Sequence, residues 1–104
     1  MNYYRVKTGF NADDFISINE NELAMALRAQ ITGRVGVFEQ GTISGNHIIS
    51  IIPDYQRAMG YHRDYHLTGE DYNYIGTKVD EHRLFFENTK TEVFAQIEGR
   101  KLLN

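Results

Sequence analysis

Residues 19–33 carry both ends of a helix in their letters. Asn19 is a capping residue with Glu22 three positions on, the pairing of a capping box, and Gly33 supplies the left-handed exit that most residues avoid. Between them Leu23-Ala24-Met25-Ala26-Leu27-Arg28-Ala29 is a run of helix formers. Leu23, Ala26, Leu27 and Ile31 fall on one face, and Arg28 and Gln30 point elsewhere. A one-sided helix must lay its apolar stripe on something, and the flanking sequence supplies strands. Tyr4, Val6 and Thr8 alternate with Arg5 and Lys7 as far as Gly9, and Phe15-Ile16-Ser17-Ile18 forms a second short run.

After the helix, Val35, Val37 and Phe38 predict a strand, and Ile48-Ile49-Ser50-Ile51-Ile52 predicts another. The turn-rich segment Gln40–Asn46 between them makes a 35–39/47–52 hairpin the expected pairing. The isoleucine run has almost no polar residue, which predicts a central strand covered on both faces, and Pro53 ends it by lacking an N–H for the ladder. Thr68 or Gly69 opens a short helix through Asp71, Tyr72 and Ile75. A new cap at Thr77 with Asp80 then starts a helix of about twenty residues on the spacing of Val79, Phe86, Val93 and Ile97, supported by Phe85 and Phe94. Its other face is polar, with Glu81, Glu87, Lys90, Glu92 and Gln96, and the end from Gly99 to Asn104 is expected to fray. The fold class is α+β: a small, mainly antiparallel sheet covered by one mid-chain helix and one long C-terminal helix, in a single domain over residues 1–104.

Composition narrows the function classes. A chain of 104 residues has room for one core and little room for a large internal pocket, so a homo-oligomer with a site between copies is expected. A net charge of -3 opposes sequence-independent nucleic-acid binding, which draws its affinity from Lys and Arg. With no cysteine there is no disulfide, thiolate nucleophile or cysteine-held zinc. The N-terminus lacks the apolar core of a signal peptide, and no run reaches the roughly 18 apolar residues of a membrane span. A cytoplasmic protein with no membrane partner is the expectation.

Five of the seven tyrosines (Tyr55, Tyr61, Tyr65, Tyr72 and Tyr74) lie between Pro53 and Gly76, among Arg57, Arg63, His62 and His66. Aromatic faces beside planar cations suit recognition of a planar anion, by stacking and by charge-assisted bonds. Tyr72, with Ile75 three positions on, reads as a buried helical face, which leaves Tyr55, Arg57, Tyr61, His62, Arg63, Tyr65 and His66 as the candidate ligand-binding set. His62 and His66 also have the i, i+4 spacing of metal ligands, but no glutamate intervenes and no motif nominates a third ligand, so no metal is assigned. Ser44 or Ser50 with His47 and Asp54 has the residue types of a hydrolytic triad without the spacing of a nucleophile elbow. The paired acids Asp13-Asp14, Glu20/Glu22 and Glu70-Asp71 stand where turns and helix starts place capping charge. Gly41–Gly45 and Gly76-Thr77-Lys78 do not complete a P-loop, although a helix start at Thr77 would favour an anion. No catalytic residue and no cofactor is assigned.

Three segments carry a resemblance: Tyr4-Arg5-Val6-Lys7-Thr8-Gly9-Phe10, Asp13-Asp14-Phe15-Ile16, and Ile51-Ile52-Pro53-Asp54-Tyr55-Gln56-Arg57-Ala58-Met59-Gly60-Tyr61. In these the chain is similar to small uncharacterised accessory proteins encoded by phages and prophages of Gram-positive bacteria. The resemblance transfers no active-site residue. It implies a counter-defence protein in the host cytoplasm that binds a nucleotide messenger or a defence protein. The functional expectation is a non-enzymatic protein that sequesters a small anionic, nucleotide-like ligand. A protein–protein inhibitor of a host defence complex is the alternative, and a histidine-dependent enzyme the weaker one.

Overall fold

The computed structural model describes the backbone of residues 1–58 and 69–103 and the side chains of residues 1–58 and 78–100. Along the chain come β1 (Tyr3–Lys7), β2 (Phe15–Asn19), a 3-10 turn (Glu20–Glu22), α1 (Leu23–Thr32), β3 (Val35–Phe38), β4 (Gly41–Ser44), a second 3-10 turn (Gly45–His47), β5 (Ser50–Pro53), α2 (Tyr55–Ala58) and α3 (Gly69–Leu103). The α+β class follows: a three-stranded antiparallel sheet in the order β2-β1-β5, a separate β3-β4 hairpin, a mid-chain helix and a long C-terminal helix. Among the described residues no helix is long and apolar enough to cross a membrane.

The alternation in β1 works as its letters predict. Tyr4 and Val6 are fully buried, and Arg5 opposes Ser17 on β2 and Ile52 on β5. The Asn19 cap also forms: its side chain accepts from the N–H groups of Asn21 and Glu22, and Glu22 Oε1 accepts from the Asn19 N–H at 3.2 Å. A 3-10 turn takes up the first residues after the cap, and the α-helix begins at Leu23. Gly33 closes α1 at φ 75°, and its N–H donates to Ala29 O. Leu23, Ala26 and Leu27 enter the core, whereas Ile31 is exposed and Ala29 is buried in its place, because the C-terminal turn of α1 packs on the second 3-10 turn instead of on the sheet.

The expected 35–39/47–52 hairpin does not form. Glu39-Gln40 is enough of a turn on its own, so β3 pairs with Gly41–Ser44, and the β-branched Thr42 and Ile43 outweigh the turn letters around them. The isoleucine run is thereby released to pair with β1 as an edge strand, and the central strand is β1. Ile49 and Ile52 are 45% and 43% exposed, so the run is not covered on both faces. Pro53 is the last residue of β5, as its missing N–H predicts.

One helix of 35 residues replaces the expected short helix, break and restart. Gly76 costs a helix only about 1 kcal/mol, and the chain has no proline after Pro53 to stop it. At about 1.5 Å per residue α3 is roughly 52 Å long, which sets the molecule's longest dimension of 52 Å. The helix also runs through Gly99 to Leu103, where fraying was expected. On the apolar stripe Val93 is buried and Phe85, Phe86 and Ile97 pack against the core, but Phe94 is 42% exposed. Two polar residues complete the stripe at the intervening spacings, His82 and Thr89, both buried. Thr89 is buried at little cost because its hydroxyl donates to Phe85 O one turn back, at 2.8 Å.

Candidate functional site

Of the predicted binding set, Tyr55 and Arg57 fall on α2; Tyr61, His62, Arg63, Tyr65 and His66 lie outside the described residues. Asp54 organises what surrounds α2. It is 5% exposed, its Oδ1 accepts from the Arg57 N–H at 3.2 Å as an N-cap, and its Oδ2 lies 3.3 Å from Arg5 Nε. Ser17 donates to the same Oδ2 at 3.3 Å and accepts from Arg57 Nη1 at 2.7 Å. The Arg57 guanidinium lies 4.5 Å over the Tyr3 ring, and that of Arg5 lies 4.5 Å over Phe15. Arg57 thus ties α2 to β1 and β2, where the sequence suggested an open phosphate donor.

Tyr55 is committed in a similar way. Its ring meets the His82 ring edge-on at 5.0 Å, and the Tyr4 ring lies 5.7 Å from His82. His82 is fully buried, with Nδ1 3.0 Å from Lys78 O and Nε2 accepting from the Tyr3 N–H at 3.4 Å, an arrangement that fits a neutral imidazole protonated on Nδ1. Tyr4 donates its hydroxyl to His82 O at 2.8 Å. Burial pushes the Tyr4 phenol well above its usual range, with Glu20, Tyr55 and Glu81 adding to the shift, and burial also raises Tyr55. This cluster locks α3 to β1. Sequence periodicity misses His82 because a histidine on an apolar stripe looks like an interruption.

The other candidate constellations do not assemble. His47 is exposed on the second 3-10 turn, and Asp54 finds its partners in Arg5, Ser17 and Arg57. Glu20 and Glu22 accept from the backbone N–H groups of Asn2, Asn19 and Glu39, as capping acids do. Gly41–Ser44 is strand β4, and Thr77 lies inside α3, so neither offers a helix start to an anion. Among the described residues no group of three or more His, Asp or Glu side chains converges as metal ligands would.

An open surface lies on the opposite side of α1. Met25, Arg28, Ala29 and Thr32 recur at i, i+3, i+4 and i+7 along the helix stripe turned away from the three-stranded sheet. With Arg34, Val35 and Val37 from β3 and its approach, and Ile97 and Arg100 from α3, they line a groove of about 530 Å³. Its lining is mainly apolar, and three guanidinium groups stand around it. Arg28 Nη2 donates to Gln96 Oε1 at 2.7 Å, bridging α1 and α3. The ion pairs among the described residues are Arg5–Asp54, Lys78–Glu81 and Arg83–Asp80, none of which uses a groove arginine. In a chain of net charge -3 this is a local concentration of positive charge.

The groove residues come from three elements and from two stretches of sequence about sixty residues apart, 25–37 and 97–100, which is why no motif marks them. The one available signal is Val35-Gly36-Val37-Phe38, in which both alternating sets are non-polar. Gly36 and Phe38 turn inward, and Val35 and Val37 are left 62% and 65% exposed. No protein-family model, curated protein or solved structure matches the chain.

Proposed function

We propose that this chain is a non-enzymatic binding protein for an anionic partner, with the groove between α1, β3 and α3 as its site. The observation that carries the reading is the grouping of Arg28, Arg34 and Arg100 around a mainly apolar groove of about 530 Å³, a volume ordinary for a binding site. An apolar floor with charged groups at its margin selects a partner that is both greasy and negative. The groups best placed for chemistry support a binding role, because Asp54 and His82 are both occupied in holding elements together.

Tyr55 and Arg57 could join a ligand site only by giving up His82, Tyr3 and Ser17. The groove arginines have one described side-chain bond to surrender, that of Arg28 to Gln96. On that comparison the groove is the better site. The resemblance to phage and prophage accessory proteins supports a counter-defence setting, with either a nucleotide-like ligand or a host protein as the partner.

Calorimetric titration with cyclic dinucleotides, cyclic ADP-ribose isomers and a glutamate-rich peptide tests the reading. The triple change Arg28→Gln, Arg34→Gln and Arg100→Gln should weaken binding at least about tenfold, equivalent to about 1.4 kcal/mol, and Arg57→Gln should leave affinity unchanged. Failure of every anionic probe to bind at micromolar concentration would defeat it.

A further inference from the structure

We infer that the partner is an extended acidic peptide segment, which adds to β3 as a third strand of the hairpin sheet. This rests on the reading of the groove as an anion site and specifies its occupant. Hydrogen-bond parity sets the direction in which the backbone groups of β3 face. The Gly45 N–H donates to Arg34 O at 2.8 Å, so residues 34 and 45 form a hydrogen-bonded antiparallel pair. Such pairs alternate along the ladder, which makes Gly36↔Ile43 and Phe38↔Gly41 hydrogen-bonded pairs, and Val35↔Ser44 and Val37↔Thr42 non-hydrogen-bonded ones. The N–H and C=O groups of Val35 and Val37 therefore point away from β4, toward the outer edge of β3.

That edge has no strand beside it among the described residues, since the second sheet consists of β3 and β4 alone. The edge of β2 is treated differently: the Ser17 N–H donates to the Gln40 side chain at 2.9 Å, which blunts it. Val35 and Val37 also line the groove, so the free edge and the arginine-rimmed surface are one continuous site. A peptide laid along β3 would use the outward N–H and C=O groups for pairing. Its alternate side chains would cover Val35 and Val37, and its acidic residues would reach Arg28, Arg34 and Arg100.

Charge decides between this occupant and two others. A second copy of the chain could pair edge to edge around Gly36, but that would bring both copies' Arg28, Arg34 and Arg100 to one seam, where like charges repel. A nucleotide would satisfy the arginines and leave the backbone groups of Val35 and Val37 to water. An acidic strand answers the arginines, the valines and the unpaired backbone together.

The test uses the full chain with three fluorescent peptides: alternating Glu and Val, alternating Lys and Val, and the Glu/Val peptide N-methylated at alternate amides. Affinity is read by anisotropy, and amide hydrogen exchange is read at Val35 and Val37. The Glu/Val peptide should bind and slow exchange at both amides at least about tenfold, and the Lys/Val peptide should not bind. N-methylation should weaken binding by about tenfold, as should Val37→Pro, which removes an outward N–H without touching the β4 ladder. Tight binding that ignores N-methylation and leaves both amides unprotected would overturn strand addition while sparing the groove as an anion site. Binding of a cyclic dinucleotide but not of the Glu/Val peptide would overturn it in the same way. Protection of Val35 and Val37 that rises with protein concentration alone would assign the edge to a second copy, and failure of all anionic probes would remove both readings.

Discussion

Gly45→Ala should be among the most damaging single changes in the chain, although it adds one methyl group. A Cβ at Gly45 would lie 1.7 Å from the Ala29 carbonyl oxygen, 2.4 Å from its carbon and 2.9 Å from Arg34 O, all of them backbone atoms that no rotamer change can move. The second 3-10 turn and the C-terminal turn of α1 would have to part by about 1.3 Å before the closest contact reached 3.0 Å. Two hydrogen bonds cross or border that gap, Gly45 N–H to Arg34 O and Gly33 N–H to Ala29 O, each 2.8 Å long. Loosening both costs about 1 kcal/mol apiece, and forcing the packing apart adds about 1–3 kcal/mol, for a total near 4 kcal/mol. In a domain of this size that lowers the thermal midpoint by roughly 15–30 °C. Gly33→Ala is the control. Its positive φ of 75° costs about 1–2 kcal/mol, and the nearest obstacle is the Asn46 side chain, which can turn aside. Urea denaturation followed by far-UV circular dichroism measures both variants. A Gly45→Ala protein within about 1 kcal/mol of the parent would refute the close approach of the turn to α1, and with it the position of β3 beside the groove.

Asp54→Ala should lose about 2–3 kcal/mol, and Asp54→Asn about half of that, because asparagine keeps the cap on the Arg57 N–H and gives up the charge pairing with Arg5; equal losses in urea melts would show that the cap contributes nothing. Burial raises the folded-state pKa of Tyr4 and Tyr55 above the unfolded value of 10.0. Their contribution is therefore fully present below about pH 10 and is lost as pH rises from there, at up to about 1.4 kcal/mol per pH unit for each group. Tyr4→Phe should flatten that alkaline loss in a circular-dichroism pH titration, and an unchanged slope would contradict it. Gly99→Ala should stabilise the chain by about 0.5–1 kcal/mol, since the position is helical and nothing lies within 4 Å of the added carbon; destabilisation in a thermal melt would mean that α3 ends before Gly99.

Local rules were legible wherever one residue decides one local geometry. The Asn19–Glu22 box, the Gly33 exit, the alternation in β1 and the stop at Pro53 all work in the fold as their chemistry dictates. Pairing was not legible in the same way. Whether Ile48–Ile52 joins β3 or β1 depends on what else can pair with β3, and that turns on whether Glu39-Gln40 suffices as a turn. The helix break at Gly76 fails for a related reason. Glycine and a following threonine resemble an exit and a cap, but a segment already helical on both sides pays only the small cost of one glycine.

The site residues divide along the same line. Tyr55 and Arg57 have the chemistry of a ligand site, yet the ring finds His82 and the guanidinium finds Tyr3 and Ser17, because an aromatic–cation pair satisfies a neighbouring strand as readily as a ligand. Arg28, Arg34 and Arg100 carry the same cation and attract less notice in the sequence, since no tyrosine or histidine clusters around them. What distinguishes the two sets is how much of each residue's bonding is already used within the fold, a property that exists only once α1, β3 and α3 are together. In a chain without a catalytic motif, unspent bonding capacity beside an apolar surface and a free strand edge is a stronger guide to binding than residue type. For this molecule it points to the groove, on the far side of α1 from the three-stranded sheet to which Arg57 ties α2.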